Sequence, residues 1–75
     1  MDSDKVTDKQ LKAIGSKLRA LRLKRGWTLE QAEEHGWPSW RHLQKVEAGK
    51  NITVKTLLLL SRLYKVHPSE LLKEL

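Results

Sequence analysis

The stretch WPSWRHLQKVEAGKN, residues 37–51, decides the fold of this chain. It holds two of the three tryptophans, four basic residues if histidine is counted, and one carboxylate. Ser39 favours the start of a helix, Gly49 favours its end, and the residue before Pro38 is biased towards extended backbone. A short helix is therefore predicted over residues 39–48. Its cationic and aromatic surface exceeds what a core requires and suits a polyanion.

This predicted helix has two distinct sides. At about 100° per residue, Leu43 and Val46 fall on one arc, and Glu47 leans towards the same side. Trp40 and His42 lie at the two edges. The opposite arc carries four side chains: Arg41, Gln44, Lys45 and Ala48. Arginine pairs in bidentate fashion with guanine and glutamine with adenine, so the outer arc suits base edges and phosphates. Any solvent-facing side of a helix is polar, however, and the pattern alone leaves that reading open.

Four further helices are predicted, and no segment alternates like a strand. After a flexible lead-in over residues 1–7, the first helix runs from about Asp8 to the stop at Gly26. Its apolar face is spaced for a helix: Leu11, Ile14, Leu18 and Leu21. The other three begin at caps or a proline: Thr28 with Gln31 for the second, Thr53 for the fourth, and Pro68, after the poor N-cap His67, for the fifth. They end near His35, near Tyr64 or Lys65, and near Lys73.

Charge indicates a polyanionic partner. The formal net charge is +6, and the excess lies in residues 11–75, where 13 Lys and Arg oppose six Glu. Such a body suits nucleic acid or an anionic membrane, with a lysine-rich solvated surface as the plain alternative. The longest apolar run, residues 57–60, is far short of the roughly 20 residues of a membrane span. The polar first ten residues do not resemble an export signal. We expect a soluble cytoplasmic protein without membrane contact.

Enzyme chemistry finds no support in the pattern. The chain has no cysteine, so a disulfide or thiolate metal site is excluded. His35, His42 and His67 lack metal-ligand spacing. No nucleophile–base arrangement, paired carboxylates or glycine-rich phosphate loop is present. We predict a non-enzyme without metal or cofactor.

The apolar residues predict a core and one additional surface. Trp27 should pack in the core and Trp37 should cover the turn after the second helix. Leu57, Leu60 and Tyr64 follow core spacing in the fourth helix. The same helix has apolar residues on a different side, which predicts a homodimer interface unless the fifth helix or the N-terminal segment covers them. This surface comprises Leu59 and Leu63, with Leu75 and Val66.

Three segments together give the chain a resemblance to a known family. They are LRALRLKRGWT (residues 18–28), HLQKVEAGK (42–50) and TLLLLSRLYKVHPSELL (56–72). Residues 14–72 resemble a phage-repressor or Cro-type helix-turn-helix domain of the XRE-like family. The resemblance implies an all-α, compact, lambda-repressor-like bundle of five helices over residues 8–75. Its second and third helices would form the helix-turn-helix.

The resemblance also implies residue roles. Arg22 and Glu47 would form a structural ion pair between the first and third helices. Base-reading positions correspond to Trp40, Arg41, Gln44 and Lys45. Positions near the DNA backbone correspond to Thr28, Leu29, Ser39, His42, Lys50 and Asn51. Trp40 can instead pack half-buried between helices, since tryptophan often fills such edges.

Three positions depart from the family pattern. Glu33 stands where a small residue is usual, and Trp37 stands where glycine is usual, with Gly36 one residue earlier. Leu29 replaces a polar side chain that clamps a phosphate, which leaves only its backbone N–H for that task. The shift of the glycine to position 36 predicts an altered turn geometry, with Trp37 folded back over the core. The leucine at position 29 predicts weaker anchoring to the phosphate.

The resulting prediction is a bacterial or phage transcriptional regulator. It would bind double-stranded DNA sequence-specifically, with the third helix in the major groove, as a homodimer on a palindromic operator. The alternative is an antitoxin-like interaction module that uses the same fold to bind a partner protein through the Leu59/Leu63 surface.

Overall fold

Five α-helices make up the part of the chain that the structure describes. A computed structural model gives the backbone of residues 3–73 and the side chains of residues 8–73. The helices are α1 (Ser3–Lys24), α2 (Leu29–Glu34), α3 (Trp40–Glu47), α4 (Val54–Leu63) and α5 (Pro68–Leu72). No strand occurs within residues 3–73. The prediction of an all-α bundle of five helices is confirmed.

The first helix starts earlier than the sequence pattern indicates. It begins at Ser3 rather than near Asp8, so residues 3–7 have helical backbone instead of forming a loose lead-in. The remainder of that lead-in lies outside the described residues. No proline or glycine interrupts residues 3–14, so the sequence allows the helix to extend beyond its apolar stretch. The apolar spacing that located the helix marks only the portion that packs on the core.

Side-chain caps start the other helices. The hydroxyls of Thr28, Ser39 and Thr53 each accept the backbone N–H three residues later, at 3.1, 3.3 and 3.1 Å. The Thr28 N–H in turn donates to Gln31 Oε1 at 2.8 Å, which completes a capping box. His67 is a better cap than expected, because its Nδ1 accepts the N–H of Ser69 at 3.1 Å. The imidazole of His67 therefore acts as the N-cap acceptor, a role that a hydroxyl or carboxylate usually fills.

Four helices end in the same left-handed turn. In each, the residue after the turn donates its N–H to the carbonyl five residues earlier: Trp27 to Arg22, Trp37 to Ala32, Lys50 to Lys45 and Val66 to Ser61. Three turns use glycine at positive φ, whereas Lys65 takes this conformation at φ 56°. Two tryptophans therefore follow directly after turn glycines. Trp37 folds into the core with only 5% of its surface exposed.

The core lies where the five helices meet. Its fully buried large side chains are Leu18, Leu43, Val46, Leu60, Tyr64 and Leu71. Trp27 packs partly buried against this cluster, and its ring stacks on His35 with centroids 4.1 Å apart. Among the described residues, no helix has the length and apolar character needed to cross a bilayer.

Gly15 sets how closely α1 approaches α3. It is buried within α1, and a Cβ at this position would lie 2.6 Å from the carbonyl oxygens of both Val46 and Glu47. Any side chain would push the two helices apart. The glycine therefore brings α1 against the last turn of α3, one of the two contacts that orient this helix.

Candidate nucleic-acid interface

The inward side of α3 is fixed to the rest of the molecule. Leu43 and Val46 are 0% and 2% exposed. Glu47 turns towards α1, where its carboxylate receives two hydrogen bonds from Arg22, from Nε at 2.8 Å and Nη2 at 2.9 Å. This hydrogen bonding raises the pKa of Arg22 above its ordinary value, although burial opposes the shift. Arg22 also donates from Nη1 to the carbonyl of Trp27 at 2.8 Å.

The outward side of α3 is open to solvent. Its exposed side chains are Arg41, Gln44, Lys45 and Ala48. Together they present a guanidinium, an amide and an ammonium group along two turns of helix. No carboxylate lies within salt-bridge distance of Arg41 or Lys45 among residues 8–73. These donors are therefore not engaged in ion pairs within the described residues and are available to an incoming ligand.

Trp40 lies at the edge of this surface and is half-buried. The guanidinium carbon of Arg41 lies over its ring, 5.3 Å from the centroid. The backbone N–H of Trp40 donates to Glu33 Oε2 at 2.7 Å. A residue of α2 thereby satisfies the first N–H of α3, which has no partner within its own helix.

Gly36 and Trp37 shape the turn between α2 and α3. Gly36 ends α2 with φ 119°, and Trp37 then enters the core. His42 stacks on Trp37 with ring centroids 5.8 Å apart and an interplanar angle of 14°. The indole therefore supports both the turn and the side of α3. Trp37 Nε1 is buried without a hydrogen-bond partner among the described residues.

The predicted backbone-contacting residues lie on both sides of α3. Lys50 and Asn51 are exposed just beyond its C-terminal turn, and Ser39 is partly exposed at its start. Thr28 and Leu29 lie at the N-terminal end of α2. The backbone N–H of Thr28 donates to Gln31 Oε1 in the capping box, whereas the N–H of Leu29, in the first turn of α2, has no partner within its own helix.

A polar depression adjoins the C-terminal end of α3. It is lined by Asp8, Leu11, Lys12, Ala48, Gly49, Lys50 and Asn51. The stem of Lys12 packs against Gly49, where a Cβ would lie 2.6 Å from Lys12 Cγ. The depression therefore places Lys12, which the sequence did not single out, beside two predicted backbone-contacting residues.

The contact that Glu33 makes was not predicted from the sequence. Glu33 appeared only as a departure from the family pattern, and its bond to Trp40 joins residues seven apart across a turn. The available signal was the coincidence of an unusual carboxylate in α2 with a helix start soon after it. Because such a start favours negative charge, a carboxylate nearby is a candidate cap.

The apolar residues expected at a dimer surface are only partly exposed. Leu59 is 38% exposed, whereas Leu63 packs partly buried against the core. They line a shallow groove with five other residues: His35, Gly36, Trp37, Pro38 and Arg62. Leu58 and Val54 on the same helix are more exposed, at 46% and 72%. Leu75 lies outside the described residues.

The fold and this two-sided third helix define a small all-α helix-turn-helix domain. A family model described as Helix-turn-helix matches residues 18–71, which is more than two thirds of the chain. The chain therefore belongs to the XRE-like helix-turn-helix family, a family of DNA-binding regulatory domains rather than catalytic ones. No curated protein matches the chain significantly, and no solved structure does so either.

Proposed function

We propose that this protein is a transcriptional regulator that reads double-stranded DNA by placing α3 in the major groove. The observation that carries the proposal is the division of α3. Arg41, Gln44 and Lys45 are exposed, while the acidic side chain of the same helix, Glu47, is turned inwards and paired. A B-DNA major groove about 12 Å wide admits one such helix, and these three side chains match base edges and phosphates.

Residues on either side of α3 would set its register by contacting phosphates. Lys50 and Asn51 lie beyond its C-terminal end, and Ser39 and His42 lie in its first turn. Leu29 would contribute its N–H from the start of α2, next to Thr28. Contacts of this kind position a protein on the duplex and carry little sequence information themselves.

Duplex binding measured against salt concentration tests the proposal. Wild-type protein should lose affinity steeply with salt, because each phosphate contact releases counterions. Arg41→Ala should weaken binding by about 1–3 kcal/mol and relax sequence preference, as expected for loss of a base contact. Lys45→Ala should weaken binding and, where the ammonium meets a phosphate, reduce the salt slope by about one. Binding is measured by fluorescence anisotropy on duplexes selected from a random library.

Lys24→Ala is the matched control for these variants. Lys24 is an exposed cation in the last turn of α1, beside α5 residues Glu70 and Leu71, and away from α3. The Lys24→Ala substitution removes one positive charge, as each α3 variant does, at a position outside the proposed interface. Equal losses in Lys24→Ala and the α3 variants would reduce the interaction to general charge attraction. Unchanged affinity in Arg41→Ala and Lys45→Ala would refute the assignment.

We also propose that the protein binds a partly palindromic operator as a homodimer. Two copies of α3 would then enter successive major grooves, with half-site centres about 34 Å apart. The exposed apolar residues of α4 support a partner surface, and Leu59 and Leu63 lie beside the groove at the α2–α3 turn. A two-fold interface there would bury apolar area on both copies.

Sedimentation equilibrium tests the dimer and its surface together. Leu59→Glu should give a folded monomer, because a carboxylate would be buried unpaired in the interface. Leu58→Glu is the matched comparison, since it adds the same charge to an exposed leucine on the same helix. A dimer that survives Leu59→Glu but dissociates in Leu58→Glu contradicts the proposed surface. A monomeric wild type at operator-binding concentrations contradicts dimerisation.

A further inference from the structure

Two neighbouring residues at the start of α3 form a cation–π pair. The guanidinium carbon of Arg41 lies 5.3 Å from the centroid of the Trp40 ring, within the range of attraction to an aromatic face. Trp40 is half-buried, whereas Arg41 is exposed. The ring is therefore anchored in the protein, and the guanidinium that rests on it faces solvent.

This cation–π contact prepares the guanidinium for recognition of guanine. The attraction acts between the cation and the ring face and uses no hydrogen bond, so the N–H groups of the guanidinium remain available. Those N–H groups are the ones that pair with O6 and N7 of guanine in the major groove. A freely rotating arginine side chain loses conformational entropy when it binds. The contact with Trp40 already restricts the Arg41 side chain in the free protein, so less entropy is lost on binding.

Glu33 fixes the backbone from which this pair projects. Its Oε2 accepts the N–H of Trp40 at 2.7 Å, so α2 is tied to the first residue of α3. Within the same turn, Ser39 caps the N–H of His42. The carboxylate also opposes the approach of phosphates, and its contribution would therefore appear in selectivity rather than in affinity.

We propose that Glu33, Trp40 and Arg41 act as one unit that reads a guanine next to a thymine. This inference rests on the proposed function, since it requires α3 to enter the major groove. Arg41 would bind the guanine edge, Trp40 would hold the guanidinium, and Glu33 would be a positioning residue. The thymine follows from the partial exposure of Trp40 beside Arg41, because the C5-methyl group is the apolar feature of base edges in the major groove.

Base analogues in the selected duplex test the unit atom by atom. Replacement of the guanine by 7-deazaguanine removes N7, and replacement of the thymine by deoxyuridine removes only the methyl group. Wild-type protein should lose about tenfold in affinity or more on 7-deazaguanine, the size of one good base contact, and a smaller factor on deoxyuridine. Arg41→Ala should no longer distinguish guanine from 7-deazaguanine. Trp40→Leu should distinguish them clearly less well than wild type.

Conservative variants separate this role from a structural one. Trp40→Phe keeps an aromatic face and should retain most of the guanine discrimination that Trp40→Leu loses. Glu33→Gln keeps an acceptor for the Trp40 N–H and should likewise rescue the discrimination lost in Glu33→Ala. Both Glu33 variants remove the same negative charge, so a difference between them reflects the hydrogen bond. Thermal melting of each variant confirms that the fold is retained.

Lys45 provides the internal control. It lies on the same exposed face of α3, whereas the cation over the Trp40 ring is that of Arg41. In a double-mutant cycle, Trp40→Leu should couple with Arg41→Ala and be additive with Lys45→Ala. Additivity in both pairs would overturn the reading unit.

The outcomes distinguish this inference from the function on which it rests. If wild-type protein selects no preferred duplex, or if Arg41→Ala binds as tightly as wild type, DNA reading itself fails and the unit fails with it. If Arg41→Ala alone loses guanine discrimination, while Trp40→Leu and Glu33→Ala keep it in full, the unit is overturned and DNA reading stands.

Discussion

Arg22 and Glu47 meet in a two-pronged ion pair that is almost entirely shielded from solvent. Nε of Arg22 lies 2.8 Å from Oε2 of Glu47, and the two side chains are 9% and 7% exposed. Because Arg22 also binds the carbonyl of Trp27, one guanidinium joins α1, α3 and the turn that follows α1. The pair holds the C-terminal end of α3 while leaving its outer side free.

Glu47→Gln should therefore destabilise the domain severely. The substitution leaves the Arg22 guanidinium buried without its counter-ion, and breaking a buried pair in this way costs about 3–5 kcal/mol. Urea denaturation followed by circular dichroism gives the free energy of unfolding. The control is Glu34→Gln, which changes an exposed carboxylate in α2 and should alter stability by less than about 0.5 kcal/mol.

The double variant Arg22→Met/Glu47→Leu extends this comparison. It removes both charges together and should be less destabilised than the two single losses added, because no unpaired charge remains buried. Strict additivity of the single effects, or a Glu47→Gln stability equal to that of Glu34→Gln, would contradict the role given to the pair.

Gly15→Ala should lower stability, although alanine is the better helix former. In an ordinary exposed helix the exchange stabilises by about 1 kcal/mol. Here the new Cβ would lie 2.6 Å from two carbonyl oxygens of α3, so α1 must shift, and we expect a loss of about 1–3 kcal/mol. Ser16→Ala, at the exposed neighbouring position, should be neutral or slightly stabilising. Thermal unfolding of the two variants checks the sign, and a stabilised Gly15→Ala would refute the close packing.

Lys65→Gly should raise stability. Lys65 ends α4 in the left-handed region at φ 56°, where a side chain costs about 1–2 kcal/mol. Glycine relieves this strain but gains freedom in the unfolded chain, so the net increase should be about 0.5–1 kcal/mol. Lys55→Gly within α4 removes an equal charge and should instead lower stability. The melting temperatures of the two variants should therefore shift in opposite directions.

Tyr64 predicts how stability responds to alkaline pH. Burial raises the pKa of its phenol to about 12, from an ordinary value of 10.0. Between these values the unfolded chain releases the proton and the folded chain keeps it, so stability falls as pH rises, by about 2–3 kcal/mol in total. The contribution is fully present below pH 10 and lost by about pH 12.

Tyr64→Phe isolates this effect, because the chain has a single tyrosine. The Tyr64 hydroxyl has no hydrogen-bond partner among the described residues, so its removal should be neutral or stabilising at pH 7. The variant should also lose stability less steeply between pH 10 and 12 than wild type, in denaturation series at each pH. Parallel curves for the two proteins would contradict the buried, unpaired phenol.

The helix starts and the core were predictable because their causes are local. A threonine or serine hydroxyl caps an N–H three residues along the chain, so Thr28, Ser39 and Thr53 mark their helices unaided. Leu43 and Val46 follow from helical spacing alone. The early part of α1 was not predicted because residues 3–7 hold a single apolar residue, too few to define a helical spacing.

The features that position the candidate site were harder to predict because they join distant segments. The residues near Gly15 in the sequence do not indicate that the end of α3 lies against it. Glycine within a helix is usually interpreted as lowering the stability of that helix. The Arg22–Glu47 pair followed only from family resemblance. Glu33 was noted only as a departure from the family pattern. Its hydrogen bond with the Trp40 N–H depends on the path of the turn between α2 and α3, in which Trp37 enters the core.

The placement of α3 between Glu33 at one end and Gly15 with Arg22 at the other has a consequence for how such a protein can diversify. None of the exposed outer residues Gln44, Lys45 and Ala48 takes part in those fastenings. Their identities can change without loosening the scaffold, so under the proposed function a new target sequence would be reachable through a few substitutions. Position 40 is the exception, because Trp40 belongs to the proposed reading surface and is also half-buried in the framework.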